Sequence, residues 1–164
     1  MSSNHELQTK FPALSKALSS QRPPMLALFF AASWCPGCTD VTPVVDRLLQ
    51  DHGNDSSFEL MYVSSDNTNE QLEAYVPSDK WGIIPFEDEE ARSNLKRHFG
   101  ACASKETESL GMSSEDRKSG LPTLILLEKA SGKILTRNGV DDITAQNGSN
   151  GAAVVQKWKD MMSS

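Results

Sequence analysis

Seven apolar residues in a row, Met25-Leu26-Ala27-Leu28-Phe29-Phe30-Ala31, are followed within four positions by Cys35-Pro36-Gly37-Cys38. A run of strand length with no polar face suits a strand buried on both sides, so the chain must fold with cover above and below it. Beyond the cysteines, Val41, Val44, Val45, Leu48 and Leu49 recur at i, i+3, i+4, i+7 and i+8, the stripe of an amphipathic helix. Cys35 therefore stands at a helix N-terminus, where unpaired N–H groups and the positive end of the helix dipole favour a thiolate. Cys38 lies nearly one turn inside, near enough to close a disulfide and more shielded. This arrangement suits reversible exchange, with Cys35 attacking a substrate disulfide and Cys38 resolving the mixed disulfide.

The rest of the chain alternates in the manner of an α/β protein. Residues 11–18 predict a short helix with Pro12 in its first turn, ended by Arg22-Pro23-Pro24. A strand at 58–64 completes a βαβ unit, and helices are predicted at 68–76 and 88–99. The second of these has acidic residues first and Lys96, Arg97 and His98 last, as the dipole prefers. Strands at 123–128 and 133–137 form a hairpin about Ala130-Ser131-Gly132. Val154, Val155, Trp158 and Met161 mark a closing helix after a Gly/Asn/Ser-rich linker at 147–151. Residues 1–10 are expected to be flexible. Pro43 lies inside the long helix and should kink it. Pro122 falls at a strand entry, where proline is tolerated and a cis bond is allowed.

With 164 residues and an apolar fraction of 38%, the expectation is one domain with a real core, working as a monomer. A formal charge of −6 and the lack of any run of five Lys or Arg argue against nucleic acid as the main partner. No apolar run approaches 18 residues and the N-terminus has no signal-like pattern, so no membrane partner is expected, and the cytosol, with the nucleus beside it, is the expected location. Three cysteines fit a reducing compartment, with one catalytic pair and a spare thiol, Cys102.

A dithiol two residues apart beside a βαβ pattern is a thioredoxin-like signature. The chain resembles thioredoxin-fold proteins of the nucleoredoxin and tryparedoxin group through Phe29-Phe30-Ala31-Ala32-Ser33-Trp34-Cys35-Pro36-Gly37-Cys38 with Pro43, and through Met61-Tyr62-Val63-Ser64-Ser65-Asp66. Three further pieces follow in family order: residues 80–88 from Lys80-Trp81 to Pro85-Phe86-Glu87-Asp88, Leu121-Pro122-Thr123, and residues 134–139 ending in Arg137-Asn138-Gly139. The resemblance implies a thioredoxin fold, a central mixed β-sheet flanked by helices on both faces. It also implies a cis Pro122 packed against the dithiol and substrate contacts from Trp34, Pro36, Gly37, Leu121 and Pro122. It implies no cofactor beyond the redox-active disulfide. The partners implied are disulfide-containing protein substrates and a reductase or low-molecular-weight thiol as electron donor.

The chain departs from that group in three places, and shares with much of the group a fourth difference from thioredoxins proper. Gly37 stands where the group usually has a second proline, and Thr39 replaces a basic residue, removing a positive charge from beside the dithiol. Phe29 occupies the position of the buried aspartate of thioredoxins proper, so no buried carboxylate base is assigned. Residues 101–120 form an insertion expected to border the active site, read either as a mobile polar loop or as a lid that selects partners. Two other readings stay open: a redox-responsive binding adaptor with little turnover, and a zinc site built from Cys35, Cys38, His98 and Cys102. Within the insertion, Cys102 is also a candidate regulatory thiol.

Overall fold

An all-apolar strand needs cover on two faces, and in the computed structural model, which describes residues 3–53 and 57–162, it has both. Strand β1 (Met25–Ala31) is buried along its whole length at the centre of a five-stranded mixed sheet. Because side chains alternate across a strand, β1 feeds two cores. Met25, Ala27, Phe29 and Ala31 pack with Val41, Val45, Leu48 and Leu49 of helix α3 (Pro36–His52) and with Val154, Val155 and Trp158 of a C-terminal helix. Leu26, Leu28 and Phe30 face Leu7, Leu14, Leu18, Leu95 and Phe99 on the other side. Truncating a side chain as buried as Phe30 would cost about 3–5 kcal/mol.

The sheet order is β3-β2-β1-β4-β5, with β2 at Phe58–Ser64, β3 at Gly82–Ile83, β4 at Thr123–Glu128 and β5 at Ile134–Thr136. β1 runs parallel to β2 and antiparallel to β4, pairing Ala31 with Ser64 and Phe30 with Thr123. This register brings the ends of β1 and β2 and the start of β4 to one edge of the sheet. The residues that follow β1 and β2, and those that precede β4, must therefore meet there.

The helices are α1 (Ser3–Lys10), α2 (Ser15–Ser19, entered through a 3₁₀ turn at Pro12–Leu14), α3, α4 (Asn69–Tyr75), α5 (Glu89–Phe99), α6 (Thr107–Leu110), α7 (Gly139–Thr144) and α8 (Gly151–Asp160). Thr68 and Asp88 cap α4 and α5 by accepting the backbone N–H of Gln71 and Ala91. α3 runs on through Pro43 as one helix. No helix among the described residues is long and apolar enough to cross a membrane.

Two segments differ from expectation. The N-terminal stretch, expected to be flexible, forms α1 from Ser3 onward. The amide of Asn4 donates to the carbonyls of Leu18 and Lys129, and Leu7 enters the core, so one polar and one apolar anchor hold a helix that has almost no apolar stripe. The insertion, expected in its simpler reading to be a mobile loop, is folded. α5 ends at Gly100 in the left-handed conformation (φ 67°), and the carbonyl of Gly100 accepts the N–H groups of Lys118 and Ser119 at 2.8 and 3.0 Å. The two ends of the segment thus meet, and a Cβ at Gly100 would sit 2.7 Å from the carbonyl oxygen of Asp116. Within the closed loop lie a 3₁₀ turn at Ser104–Glu106 and α6, whose Leu110 is buried.

Candidate active site

Cys35 is the N-cap of α3. Its Sγ accepts the backbone N–H of Cys38 at 3.3 Å, which satisfies one of the helix's orphan donors with the sulfur that would carry negative charge. Pro36 occupies the first helical position, where its missing N–H costs nothing. Cys35 is 9% exposed and Cys38 is fully buried, and both are free thiols. Burial pushes the Cys38 thiol well above its ordinary range. The hydrogen bond to Cys35 and the negative charges of Cys35 and Asp66 push the same way, against a backbone contact from Ala32.

Opposite the dithiol lies the loop that enters β4. The Leu121–Pro122 bond is cis, the Cys35 thiol approaches the carbonyl oxygen of Leu121 at 3.9 Å, and Pro122 Cδ lies 3.6 Å from where a Cβ on Gly37 would stand. The structure thus brings Leu121 to the Cys35 thiol and Pro122 to Gly37, while Trp34 and Pro36 flank Cys35 in the chain. Trp34 is half-buried, and its indole N–H donates to the carbonyl of Ser65 at 2.8 Å.

Behind the thiols sits a buried carboxylate that reading the Phe29 position alone does not reveal. Asp66, just past β2, accepts the N–H of Ser33 at 2.6 Å and the hydroxyls of Tyr62 at 2.8 Å and Ser64 at 2.7 Å. Tyr62 is held protonated by its burial, reinforced by the Asp66 charge. Tyr75 donates to the carbonyl of Cys38 at 3.0 Å and shares a short contact with the Thr42 hydroxyl. The available signal for Asp66 was positional: polar Ser64-Ser65-Asp66 follows the apolar Leu60-Met61-Tyr62-Val63 at the carboxyl edge of a parallel pair, where α/β sheets place their sites.

The insertion reaches this site. Lys105 Nζ lies 3.7 Å from the centroid of the Trp34 ring, and the carboxylate of Glu106 accepts the Ser65 hydroxyl at 2.8 Å, the N–H of Ala103 at 2.9 Å and Lys96 Nζ at 2.6 Å. Burial alone would raise the Glu106 carboxyl, but the ammonium of Lys96 and these hydrogen bonds hold it below the usual carboxylate range. Cys102 is fully buried, with its sulfur 4.0 Å from that of Met112, and burial raises its thiol pKa.

The four zinc candidates are not brought together. Cys35 and Cys38 belong to the core on one face of the sheet, whereas the ring of His98 packs on Phe11 and Phe99 at the other. Among the described residues no group of three or more His, Cys, Asp or Glu side chains could hold a metal ion.

A family model described as thioredoxin-like matches residues 24–134, which take in the sheet from β1 to the start of β5 and the Cys35–Cys38 pair. This chain belongs to the thioredoxin-like family. Nucleoredoxin of Homo sapiens is 31% identical over 117 residues, covering 70% of this chain and 22% of nucleoredoxin. Tryparedoxin of Trypanosoma brucei brucei is 28% identical over 108 residues, 66% of this chain and 63% of that protein. The solved structure of tryparedoxin II from C. fasciculata superposes with a TM-score of 0.62 at 29% identity, covering 79% of this chain and 75% of that one. The chain spans about a fifth of the length of the nucleoredoxins it matches. The family is one of thiol-disulfide oxidoreductases, and the thioredoxin fold, the mixed sheet and the close Cys35–Cys38 pair of this member are those the sequence resemblance implies.

Proposed function

We propose that this thioredoxin-like protein reduces protein or small-molecule disulfides through the Cys35–Cys38 pair, in a reducing compartment such as the cytosol. The observation that carries this is the asymmetry of the pair: Cys35 at a helix N-cap, keeping 9% exposure with its sulfur near the Leu121 carbonyl, and Cys38 fully buried one turn behind it. The Cys35 thiolate attacks one sulfur of a substrate disulfide, that S–S bond breaks, and the departing substrate sulfur leaves as a thiolate that takes up a proton. A mixed disulfide between Cys35 and the substrate remains. Cys38 then attacks Cys35 Sγ, the second substrate thiol departs, and the enzyme holds the Cys35–Cys38 disulfide until two electrons from a reductase or a small thiol restore it.

The surroundings of Cys38 support this order of events. Among the causes that keep Cys38 protonated are its hydrogen bond to Cys35 and the charge on Cys35. Both disappear once Cys35 is tied in the mixed disulfide, so the resolving thiol becomes easier to ionise when it is needed. Cys35→Ser should abolish disulfide reductase activity, and Cys38→Ser should accumulate mixed disulfides visible by intact mass. A Cys38→Ser protein that traps no substrate would refute the resolving role. A wild type that binds partners according to its redox state without turnover would instead mark a redox-responsive adaptor.

A further inference from the structure

The reductase reading leaves unused the contact between the insertion and Trp34. Lys105 is exposed, and among the described residues no carboxylate lies within ion-pair distance of its ammonium, which rests on the Trp34 ring. In a chain of formal charge −6, that leaves a positive charge on the aromatic that borders the attacking thiol. The placement is braced. Ser65 holds both partners, its carbonyl taking the indole N–H of Trp34 and its hydroxyl donating to Glu106, the residue after Lys105. Lys96 pins the same Glu106 from α5. Lys105 is therefore positioned by a buried ion pair rather than by a free loop, while its own head group stays available.

We propose that Lys105 and Trp34 together form a specificity subsite for a carboxylate carried next to the reacting disulfide. The disulfide carbon chain lies along the indole and the acid meets the ammonium. The inference deepens the reductase reading and rests on it for the chemistry, but not for the binding. An acidic group flanking the disulfide would be drawn in and a basic one repelled. Each exposed charge pair contributes modestly, so the acidic-over-basic preference should be about fivefold in kcat/KM and should shrink as salt screens it.

The test uses the full chain and three matched disulfide peptides, flanked by Glu, Gln or Lys. Oxidised glutathione serves as a small-molecule carboxylate disulfide. The readout is the Glu-to-Lys ratio of kcat/KM within each variant, which a general loss of activity would not move. Wild type should favour the Glu peptide, Lys105→Met should bring the ratio near one, and Lys105→Glu should invert it. A peptide ratio equal in all three proteins, with kcat/KM for oxidised glutathione relative to the Gln peptide equally unmoved, overturns the proposal. A Lys105-dependent change confined to glutathione, or to the peptide ratio, assigns the subsite to that source. The same peptides with S-methylated cysteines, titrated calorimetrically, read binding without chemistry. A Lys105-dependent preference there without turnover would uphold the subsite while refuting the reductase reading. No preference there alongside normal turnover would do the reverse.

Discussion

The carbonyl oxygen of Leu121 lies 3.9 Å from Cys35 Sγ, although 86 positions separate the two residues. The antiparallel pairing of β1 with β4 sets the approach, because Phe30 opposite Thr123 delivers the end of one strand to the beginning of the other. On the proposed reductase reading, a substrate disulfide reaches Cys35 beside this carbonyl, with Trp34, the residue before Cys35, as a second wall.

Gly37 faces that opening and tests how tightly it is packed. A methyl group there would meet Pro122 Cδ at 3.6 Å, an ordinary van der Waals contact, and the residue has no left-handed backbone that only glycine tolerates. Gly37→Ala should therefore stabilise the reduced protein by about 0.4–1 kcal/mol through the lower entropy of the unfolded chain, read from urea midpoints. A loss of stability would show that the space beside Pro122 is smaller than this geometry gives.

The strands were legible because burial on two faces leaves a composition no other element needs: β1, β2 and β4 lie where apolar runs and flanking turns put them. The two cysteines were legible because their spacing is itself the chemistry. What escaped was held by single polar contacts between distant segments. α1 is docked by Asn4, and α7 has too little amphipathic pattern to be seen, yet Gly139 brings its backbone against Leu124. The position of Asp66 at the end of a strand was legible, but its partners were not, because they depend on the register that sets Ala31 beside Ser64. The folded insertion was hidden for the same reason, since Lys96, Ser65 and Glu106 carry no signal until three elements bring them together.

That three-way contact makes its own prediction. Glu106→Gln leaves the ammonium of Lys96, which is 4% exposed, without its carboxylate, and removing one partner of a buried pair is far costlier than the pair is worth. We expect a loss of about 2 kcal/mol at pH 7, together with a red-shifted fluorescence component as Trp34 loses its cover. Because the carboxyl of Glu106 is held below its unfolded value, its contribution is present above about pH 4.5 and is lost as pH falls through the lowered value. The gap between wild type and Glu106→Gln should close in that acid window, and a gap unchanged by acid would deny Glu106 its charge.

Cys102 should behave as a packed side chain under mild conditions. With no exposed surface and a thiol pushed toward its neutral form, it should stay unmodified in native reduced protein while iodoacetamide alkylates Cys35, as peptide mass mapping would show. Mild peroxide should likewise close Cys35–Cys38 and leave Cys102 free. Rapid labelling of Cys102 would mean that the insertion opens readily, and would return that thiol to consideration as a regulatory site.

Cys38 makes the opposite kind of pH statement. Its folded-state pKa is raised above the ordinary 9.0, chiefly by burial, so the stability tied to its protonation is complete below pH 9 and is lost as pH rises from there toward the folded value. In that range the unfolded chain releases the proton and the folded one keeps it. Tyr62 and Tyr75 are raised too and act in the same direction at higher pH, so the measurement must be a difference. The Tm of reduced wild type minus that of Cys38→Ala should fall steadily between pH 8.5 and 10.5, while the oxidised protein, which has no Cys38 proton to lose, should show no such trend relative to the same variant. A flat difference for the reduced protein would mean that Cys38 ionises as easily folded as unfolded, and the timed activation of the resolving thiol would lose its physical basis.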